Sequence, residues 1–401
     1  MSKLQLGVFY GSRTCEHDVS IISAVQLMRA ADKEKYDIIP VYISKQGEWF
    51  TGEALLDMAT YTPFDPMKKG VVKVNPDLTA GSGALTYIER GKGLLGKDKE
   101  VVAARLDCVI PVFHGMHGED GTVQGVLELC NIPYSSSSVG ASAIGMDKVY
   151  MKQFFRGAGF PVLPDCWFLR RAWEQDRNAV MDQIEKTLPY PVFTKPASLG
   201  SSIGVSRAND RKELEEALEL AFDFDRKVLV EQGLNKPLEL NCSVLGYNGH
   251  SKASEIEMPV TGGDLLSYLD KYGASGSKGM ASLKRVLPAP IEPELRQKVQ
   301  ELSVQIFNNM DCKGVVRIDY MYDAASDGLY ITEINTLPGS MAFYLWEATG
   351  MPYREMIDKL VEFAMEAKKD KDDSNYAYSS SILSDVSLGG KAGPKNGAKL
   401  G

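Results

Sequence analysis

The first 130 residues alternate short runs of apolar, strand-like sequence with longer runs of helical periodicity. The strand-like runs cover residues 4–10, 36–43 and 106–113, and the helical runs cover 19–31 and 122–130. Strands that alternate with helices build a parallel sheet, because each helix returns the chain to the edge where the previous strand began. We therefore predict an N-terminal Rossmann-like domain of the α/β class over residues 1–138. The Gly- and Lys-rich stretch 75–99 is expected to be an excursion from its core.

The rest of the chain changes character and predicts an α+β arrangement. A helix from residue 141 and strands near 161–169, 190–195 and 227–231 predict a central subdomain over residues 139–231. Strand-like runs that follow one another from residue 239 onward predict a mainly antiparallel domain over 232–370. The tail 371–401 is rich in Ser, Gly and Lys and is expected to be disordered, because few apolar groups there offset the entropy of ordering.

Composition excludes several classes of function. The 401 residues carry 45 basic and 53 acidic side chains, a formal net charge of −8, so no overall basic field attracts nucleic acid or an anionic membrane. The six cysteines form no C-x-x-C pair, and no run of 18 apolar residues is present. We expect a cytoplasmic protein with neither a membrane nor a nucleic-acid partner.

A lysine followed by a Gly/Ser loop marks a candidate phosphate-binding segment. Lys195 ends a strand-like run, and Pro-Ala-Ser-Leu-Gly-Ser-Ser-Ile-Gly follows it, with Ser201 and Ser202 at its centre. Backbone N–H groups and small hydroxyls in such a loop bind phosphate oxygens, and glycine permits close approach. The alternative of a plain hairpin turn stays open on this segment alone.

Two neighbouring strands carry a second polar set. Arg317 and Asp319 are two residues apart on one strand, and Glu333 and Asn335 are two apart on the next, so each pair shares a face. Asp319, Glu333 and Asn335 offer the hard oxygen ligands that Mg²⁺ accepts together with nucleotide phosphates. Arg317 is suited to a carboxylate or a developing oxyanion. The competing interpretation is a solvated hairpin face with cross-strand ion pairs.

These segments belong to an ordered set of motifs. In chain order the set is Glu16 before Asp18-Val-Ser20, His114-Gly115, Gly118-Glu-Asp-Gly121-Thr-Val-Gln-Gly125, Met146-Asp-Lys148, the Lys195 loop, Arg317-Ile-Asp319 and Glu333-Ile-Asn-Thr-Leu-Pro-Gly339. Across residues 4–367 the set resembles that of the D-alanine–D-alanine ligases, which are members of the ATP-grasp superfamily. The resemblance implies that a two-domain ATP-grasp fold follows the N-terminal domain.

The resemblance also implies a reaction and its partners. One D-alanine carboxylate would attack the γ-phosphoryl group of ATP, and the amine of a second D-alanine would capture the resulting acyl phosphate, giving a peptidoglycan precursor. ATP and two Mg²⁺ ions, with Mn²⁺ as a substitute, are the implied cofactors, and a homodimer is the expected assembly.

Residue roles implied by the resemblance follow the motif positions. Contacts to ATP phosphates are expected from Lys148, Lys195, Ser202 and Lys271. Contacts to adenine and ribose are expected from Glu231, Gln232, Leu234 and Glu239, with Gln232 replacing the family's commoner lysine. Asp319, Glu333 and Asn335 would bind the metal ions, and Arg317 with the Gly339 amide would stabilise the tetrahedral oxyanion.

The remaining roles concern the two amino-acid substrates. Glu16 would bind the ammonium of the first, and His114 would lie near the second. Tyr272, on a Gly/Ser-rich segment over 268–280 that resembles the family's lid, would join Glu16 and Ser201 in a hydrogen-bonded set. Considered singly, Glu16 is as well explained as a helix cap, His114 as a satisfied strand-end histidine, and the lid as a surface loop.

The chain departs from the family directly after Gly339. The family's longer segment, with a serine for the acceptor carboxylate, is replaced by Ser340-Met-Ala-Phe-Tyr-Leu-Trp346. We expect Ser340 to substitute and Met341, Phe343 and Tyr344 to form the pocket wall. Three hypotheses remain: a D-alanine–D-alanine ligase, an ATP-grasp ligase that joins D-alanine to another acceptor such as D-serine, and a catalytically silent binding protein.

Overall fold

The computed structural model describes residues 2–91, 96–260 and 285–375, which contain three sheets. The first sheet has seven strands in the order β6-β5-β4-β3-β2-β1-β7. Their bounds are Leu4–Gly11, Tyr36–Ile43, Trp49–Thr51, Val72–Pro76, Ala84–Glu89, Lys99–Arg105 and Cys108–Pro111 for β1 to β7. β1 is parallel to both β2 and β7, as the alternating pattern predicted.

The stretch 75–99 is not an excursion from the core, and that expectation was wrong. Each of the strands β3 to β6 runs antiparallel to the strand before it, starting from β2, and together they extend the same sheet. Ala84 and Leu85 on β5 are buried, whereas β6 lies at the sheet edge and is mostly exposed. Edge strands need few apolar residues, so this hairpin lacks the hydrophobic signal by which strands are predicted.

Helices cover this sheet from both ends of the chain. α1 (His17–Ala30) packs on β1, and α2 (Thr122–Leu129) follows β7. The long C-terminal helix, α10 (Tyr353–Asp372), returns to the same core and buries Ile357 and Leu360 among the first domain's apolar side chains. α10 ends two residues into the predicted tail, and residues 376–401 lie outside the described part of the chain.

A helical pair leads into the second sheet. α3 (Val139–Met146) and α4 (Lys148–Gly157) are separated at Asp147, whose side chain accepts hydrogen bonds from the Val149 and Tyr150 amides and so caps α4. The second sheet has the order β10-β9-β11-β8. Its strands are β8 (Asp165–Leu169), β9 (Val192–Pro196), β10 (Ser206–Ala208) and β11 (Lys227–Gln232), with helices α5 (Arg170–Gln175), α6 (Arg177–Thr187) and α7 (Arg211–Phe224).

The third sheet is antiparallel and has the order β14-β13-β12-β15-β16. Its strands are β12 (Leu238–Tyr247), β13 (His250–Pro259), β14 (Arg285–Val286), β15 (Gly314–Asp323) and β16 (Gly328–Asn335). α8 (Pro293–Asn309) covers one face, and a single 3₁₀ turn at Gly339–Ala342 leads into α9 (Phe343–Ala348).

Among the described residues no helix is long and apolar enough to cross a membrane. The predicted class, a partly parallel sheet followed by α+β sheets, agrees with this order, while the predicted domain boundaries stay predictions.

Candidate active site

A cavity of about 230 Å³ is lined by residues from all three sheets and their loops. Twelve of the predicted site residues line it, namely Glu16, His114, Lys148, Lys195, Ser201, Ser202, Glu239, Arg317, Asp319, Glu333, Asn335 and Gly339. They come from segments more than 300 residues apart in sequence. The fold therefore brings the motifs together in one place.

Polar side chains form a row across four strands of the third sheet. Asn241 on β12 is in register with Glu257 on β13 and with Asp319 on β15, which in turn is in register with Glu333 on β16. The Asn241 amide nitrogen donates to Glu257 Oε1 at 3.0 Å. Their sequence neighbours Leu240, Cys242 and Ile256 are buried in the core, because successive side chains on a strand point to opposite faces.

Arg317 and Asp319 form a bidentate pair at the floor of the cavity. Arg317 Nε and Nη2 donate to the two Asp319 carboxylate oxygens, each at 2.6 Å, and the Asn335 amide nitrogen donates to Asp319 Oδ2 at 3.2 Å. Burial raises the pKa of Asp319 to about 6, with Glu333 and Glu257 acting in the same direction and Arg317 opposing them. Carboxylates so crowded are a setting in which a divalent cation is favourable.

The donor set fits such a cation. Within the described ranges no group of three or more His, Cys, Asp or Glu side chains could hold a metal ion by itself. Asp319 and Glu333 offer two carboxylates and Asn335 an amide, a set that leaves coordination positions of the kind that phosphate oxygens fill in nucleotide sites.

The Gly/Ser loop closes over Glu16. Ser201 and Ser202 have left-handed φ values of 54° and 58°, and the Ser201 hydroxyl donates to Glu16 Oε1. Gly115 and Gly200 also lie against Glu16, since a Cβ at either would come within 3 Å of Glu16 Oε2. Burial raises the pKa of Glu16, Glu119 adds to the effect, and the Ser201 hydrogen bond opposes it.

Two lysines approach the cavity from the second sheet and α4. Lys148 Nζ donates to the Leu199 carbonyl at 2.6 Å and lies 3.8 Å from Glu333 Oε2. Lys195 Nζ donates to Glu231 Oε1 at 2.8 Å. Both ammonium groups are thus held in place beside the loop, an arrangement suited to anionic oxygens.

Glu231 lies behind Lys195 and is fully buried. Its other carboxylate oxygen accepts from Lys152, which the sequence analysis did not identify. Burial opposes ionisation, but Lys195 and Lys152 outweigh it and lower the pKa of Glu231 to about 2. Of the four residues predicted to hold adenine and ribose, Glu239 lines the cavity, whereas Glu231, Gln232 and Leu234 are not among its described lining residues.

His114 is held by α1 and by the segment after β16. Its Nε2 lies 2.8 Å from Ser23 Oγ, and its Nδ1 lies 3.2 Å from the Leu337 carbonyl. Ser340 does not line the cavity, because its amide donates to Ser23 Oγ and its hydroxyl donates to Gln26 Oε1. Met341, Phe343 and Tyr344, which were expected to form the pocket wall, are not among the described lining residues, and Met341 is buried in the core.

Lys271, Tyr272 and the predicted lid lie in 261–284, outside the described residues. Four lining residues with charged or amide side chains were not assigned a role from the sequence, namely Glu119, Asn241, Glu257 and Arg285. Asn241 and Glu257 carry the signal that identified Asp319, a polar side chain at alternate positions of an otherwise buried strand. Arg285 gives no such signal, because the described part of β14 has two residues.

Comparison with known proteins gives matches to one family over most of the chain. A family model described as D-ala D-ala ligase N-terminus matches residues 5–137, and one described as D-ala D-ala ligase C-terminus matches 154–362. The curated D-alanine–D-alanine ligase of Thermosipho melanesiensis is 38% identical over 92% of this chain and 95% of its own length. That of Natranaerobius thermophilus is 37% identical over 95% of this chain and 100% of its own.

Two solved ligase structures are also similar to this chain. The D-alanine-D-alanine ligase of Coxiella burnetii superposes with a TM-score of 0.75 at 25% identity, covering 93% of this chain and 97% of that one. The VanG D-Ala:D-Ser ligase of Enterococcus faecalis has a TM-score of 0.75 at 29% identity, covering 90% of this chain and 100% of that one.

Proposed function

This chain belongs to the D-alanine–D-alanine ligase family, and we propose that it joins two D-alanine molecules at the expense of ATP in the synthesis of a peptidoglycan precursor. The observation that carries the proposal is the convergence of twelve motif residues on one cavity. The curated relatives are D-alanine–D-alanine ligases at 35–38% identity, which favours D-alanine over D-serine as the acceptor. A silent binding protein is disfavoured, because the acidic and basic groups of every motif are retained.

The geometry supports specific roles for the nucleotide-binding side. Lys148, Lys195 and the Ser201–Ser202 turn would hold the ATP phosphates, and Glu239 would contact the ribose. Asp319, Glu333 and Asn335 would hold two Mg²⁺ ions, or Mn²⁺ in their place. When bound, these ions would neutralise charge on the transferring phosphoryl group.

The protein's own groups would then act on the amino acids. Buried Glu16 would accept the ammonium of the first D-alanine, with Ser201 orienting the carboxylate. Arg317 and the Gly339 amide would stabilise the oxyanion formed when the second amine attacks the acyl phosphate. His114 would face the incoming amine, and Lys271 and Tyr272 would complete the site from the lid. A cytoplasmic homodimer is the proposed setting.

The test is product analysis. We expect ADP release with D-alanine as the sole amino acid and D-alanyl-D-alanine in the mass spectrum. Omission of the divalent cation should abolish both. ADP release that requires a second, different acceptor would replace the proposal with the alternative ligase.

A further inference from the structure

The turn after Gly339 leaves the acceptor's carboxylate without the serine expected to bind it. Ser340 is 1% exposed, and its amide and hydroxyl are both committed to α1. Ser340, Met341 and Ala342 have φ values of 49°, 55° and 51°, a left-handed run that directs the segment into the core. Another group must therefore bind this carboxylate.

Few basic side chains of the cavity can bind the acceptor carboxylate. Within the described residues the lysine and arginine side chains that line the cavity are Lys148, Lys195, Arg285 and Arg317. The two lysines are assigned to the ATP phosphates, and Arg317, whose Nε and Nη2 donate to Asp319, is assigned to the oxyanion. Arg285 lies on β14, at the edge of the third sheet opposite β16.

Arg285 is held rigidly at the cavity wall. Its Nη1 donates to Glu257 Oε2 at 2.9 Å, and its guanidinium lies 3.9 Å from the centre of the Tyr344 ring. The Tyr344 hydroxyl donates to Glu257 Oε1 at 2.8 Å, so each of these three side chains contacts the other two. Tyr344 follows the left-handed turn by two residues, and the rebuilt segment therefore supplies the surface on which Arg285 rests.

From this geometry, and resting on the proposed function, we propose that Arg285 binds the carboxylate of the acceptor amino acid. A guanidinium carries five N–H groups, so an arginine paired with Glu257 can also donate to a ligand. Its immobilisation by Tyr344 and Glu257 reduces the entropy lost on binding. Arg285 is then a specificity-determining residue, and Tyr344 and Glu257 are positioning residues.

The test is competition between two acceptors that differ only at the carboxylate. The enzyme is given ATP, Mg²⁺ and equal concentrations of D-alanine and D-alaninamide, and mass spectrometry measures the ratio of the two dipeptide products. Both products arise from the same acyl phosphate, so the ratio reports acceptor recognition alone. We expect the wild-type protein to favour D-alanine by ~10²-fold, because a site built for a charged group rejects an analogue that lacks it.

The Arg285→Met variant should lower this ratio by ~10-fold or more. The matched control is Arg296→Met, which removes an arginine paired with Glu255, two residues from Glu257 on the same strand. Its ratio should equal that of the wild type. A wild-type ratio retained by Arg285→Met, or a wild-type ratio near one, would overturn the assignment.

A second variant covers the case in which Arg285→Met yields no product. Arg285→Lys keeps the charge but loses the planar guanidinium. Its ratio of D-alanine product to D-alaninamide product should therefore lie between those of the wild type and Arg285→Met. An unchanged ratio in Arg285→Lys would also refute the assignment. Absence of any dipeptide from the wild type would instead refute the proposed function.

Discussion

Ser23 Oγ lies 2.8 Å from His114 Nε2, and the same oxygen accepts the Ser340 amide hydrogen at 3.1 Å. Because a carbonyl oxygen only accepts, Nδ1 carries the ring hydrogen toward Leu337, and in the neutral imidazole Nε2 then accepts the hydrogen of the Ser23 hydroxyl. One hydroxyl on α1 thus contacts both the His114 ring and the turn that follows Gly339.

Ser23→Ala should therefore reduce turnover more than it reduces ATP affinity. Loss of the hydroxyl frees His114 and the Gly339 segment together, and one hydrogen bond of this kind corresponds to a loss of about 10-fold in kcat. Steady-state kinetics would measure kcat and the KM for ATP separately. The control is Ser20→Ala on the same helix, whose hydroxyl bonds to the Val112 carbonyl rather than to His114. An equal effect of both variants on kcat would indicate general destabilisation.

Glu333→Gln should abolish ADP release while the protein remains folded. The Glu333 side chain is 34% exposed, and Lys148, 3.8 Å away, keeps its hydrogen bond to the Leu199 carbonyl, so loss of the Glu333 charge should cost little stability. Asp319→Asn is a poorer probe, because it would strand the buried Arg317 guanidinium and lower stability as well. Thermal unfolding and ADP release should be measured on both variants. Normal ADP release by Glu333→Gln would refute the metal assignment.

The sequence predicts what depends on local periodicity. β2 begins and ends at the predicted residues, and Asp319 faces Glu333 because polar residues alternate with buried Ile318 and Ile334. The sequence does not predict the β4–β6 extension, whose edge position demands few apolar residues. It also does not predict that Arg285 lines the cavity. The position of Arg285 depends on its hydrogen bond to Glu257 on the neighbouring strand β13 and on a turn with three left-handed residues. Such placements depend on tertiary contacts rather than on spacing.

Lys313→Met should stabilise the protein near neutral pH. Lys313 is buried, and its Nζ lies 3.9 Å from the centre of the Tyr134 ring. Burial lowers its pKa to about 8. Glu128 and Cys108 raise this pKa, whereas Lys371 lowers it further. The unfolded chain has a lysine pKa of about 10.4, so below pH 8 both states are protonated and the folded state bears the cost of the buried charge. That cost disappears as the pH rises from 8 to about 10.4.

The variant should accordingly exceed the wild type in unfolding free energy by on the order of 3 kcal/mol at pH 7, and the difference should vanish near pH 10.5. Thermal unfolding at a series of pH values would measure it. Lys298→Met, on the exposed face of α8, is the control and should show no such trend. A difference that does not depend on pH would mean that packing, rather than charge, separates Lys313 from methionine.

Glu231→Gln should lower both stability and nucleotide affinity. The Glu231 carboxylate forms ion pairs with Lys152 and Lys195. Lys152 is 0% exposed, so removal of the Glu231 charge leaves a buried ammonium group with Asp165 as its remaining anionic partner. Breaking a buried pair from one side costs about 3–5 kcal/mol. Lys195 loses the partner that orients it toward the cavity, so ATP affinity should fall as well.

The double variant Glu231→Gln with Lys152→Met removes the stranded charge and should recover most of the stability but not the ATP affinity. Calorimetric ATP binding and thermal unfolding on both variants would separate the two effects. Recovery of ATP affinity in the double variant would show that Glu231 acts through Lys152 and not through Lys195.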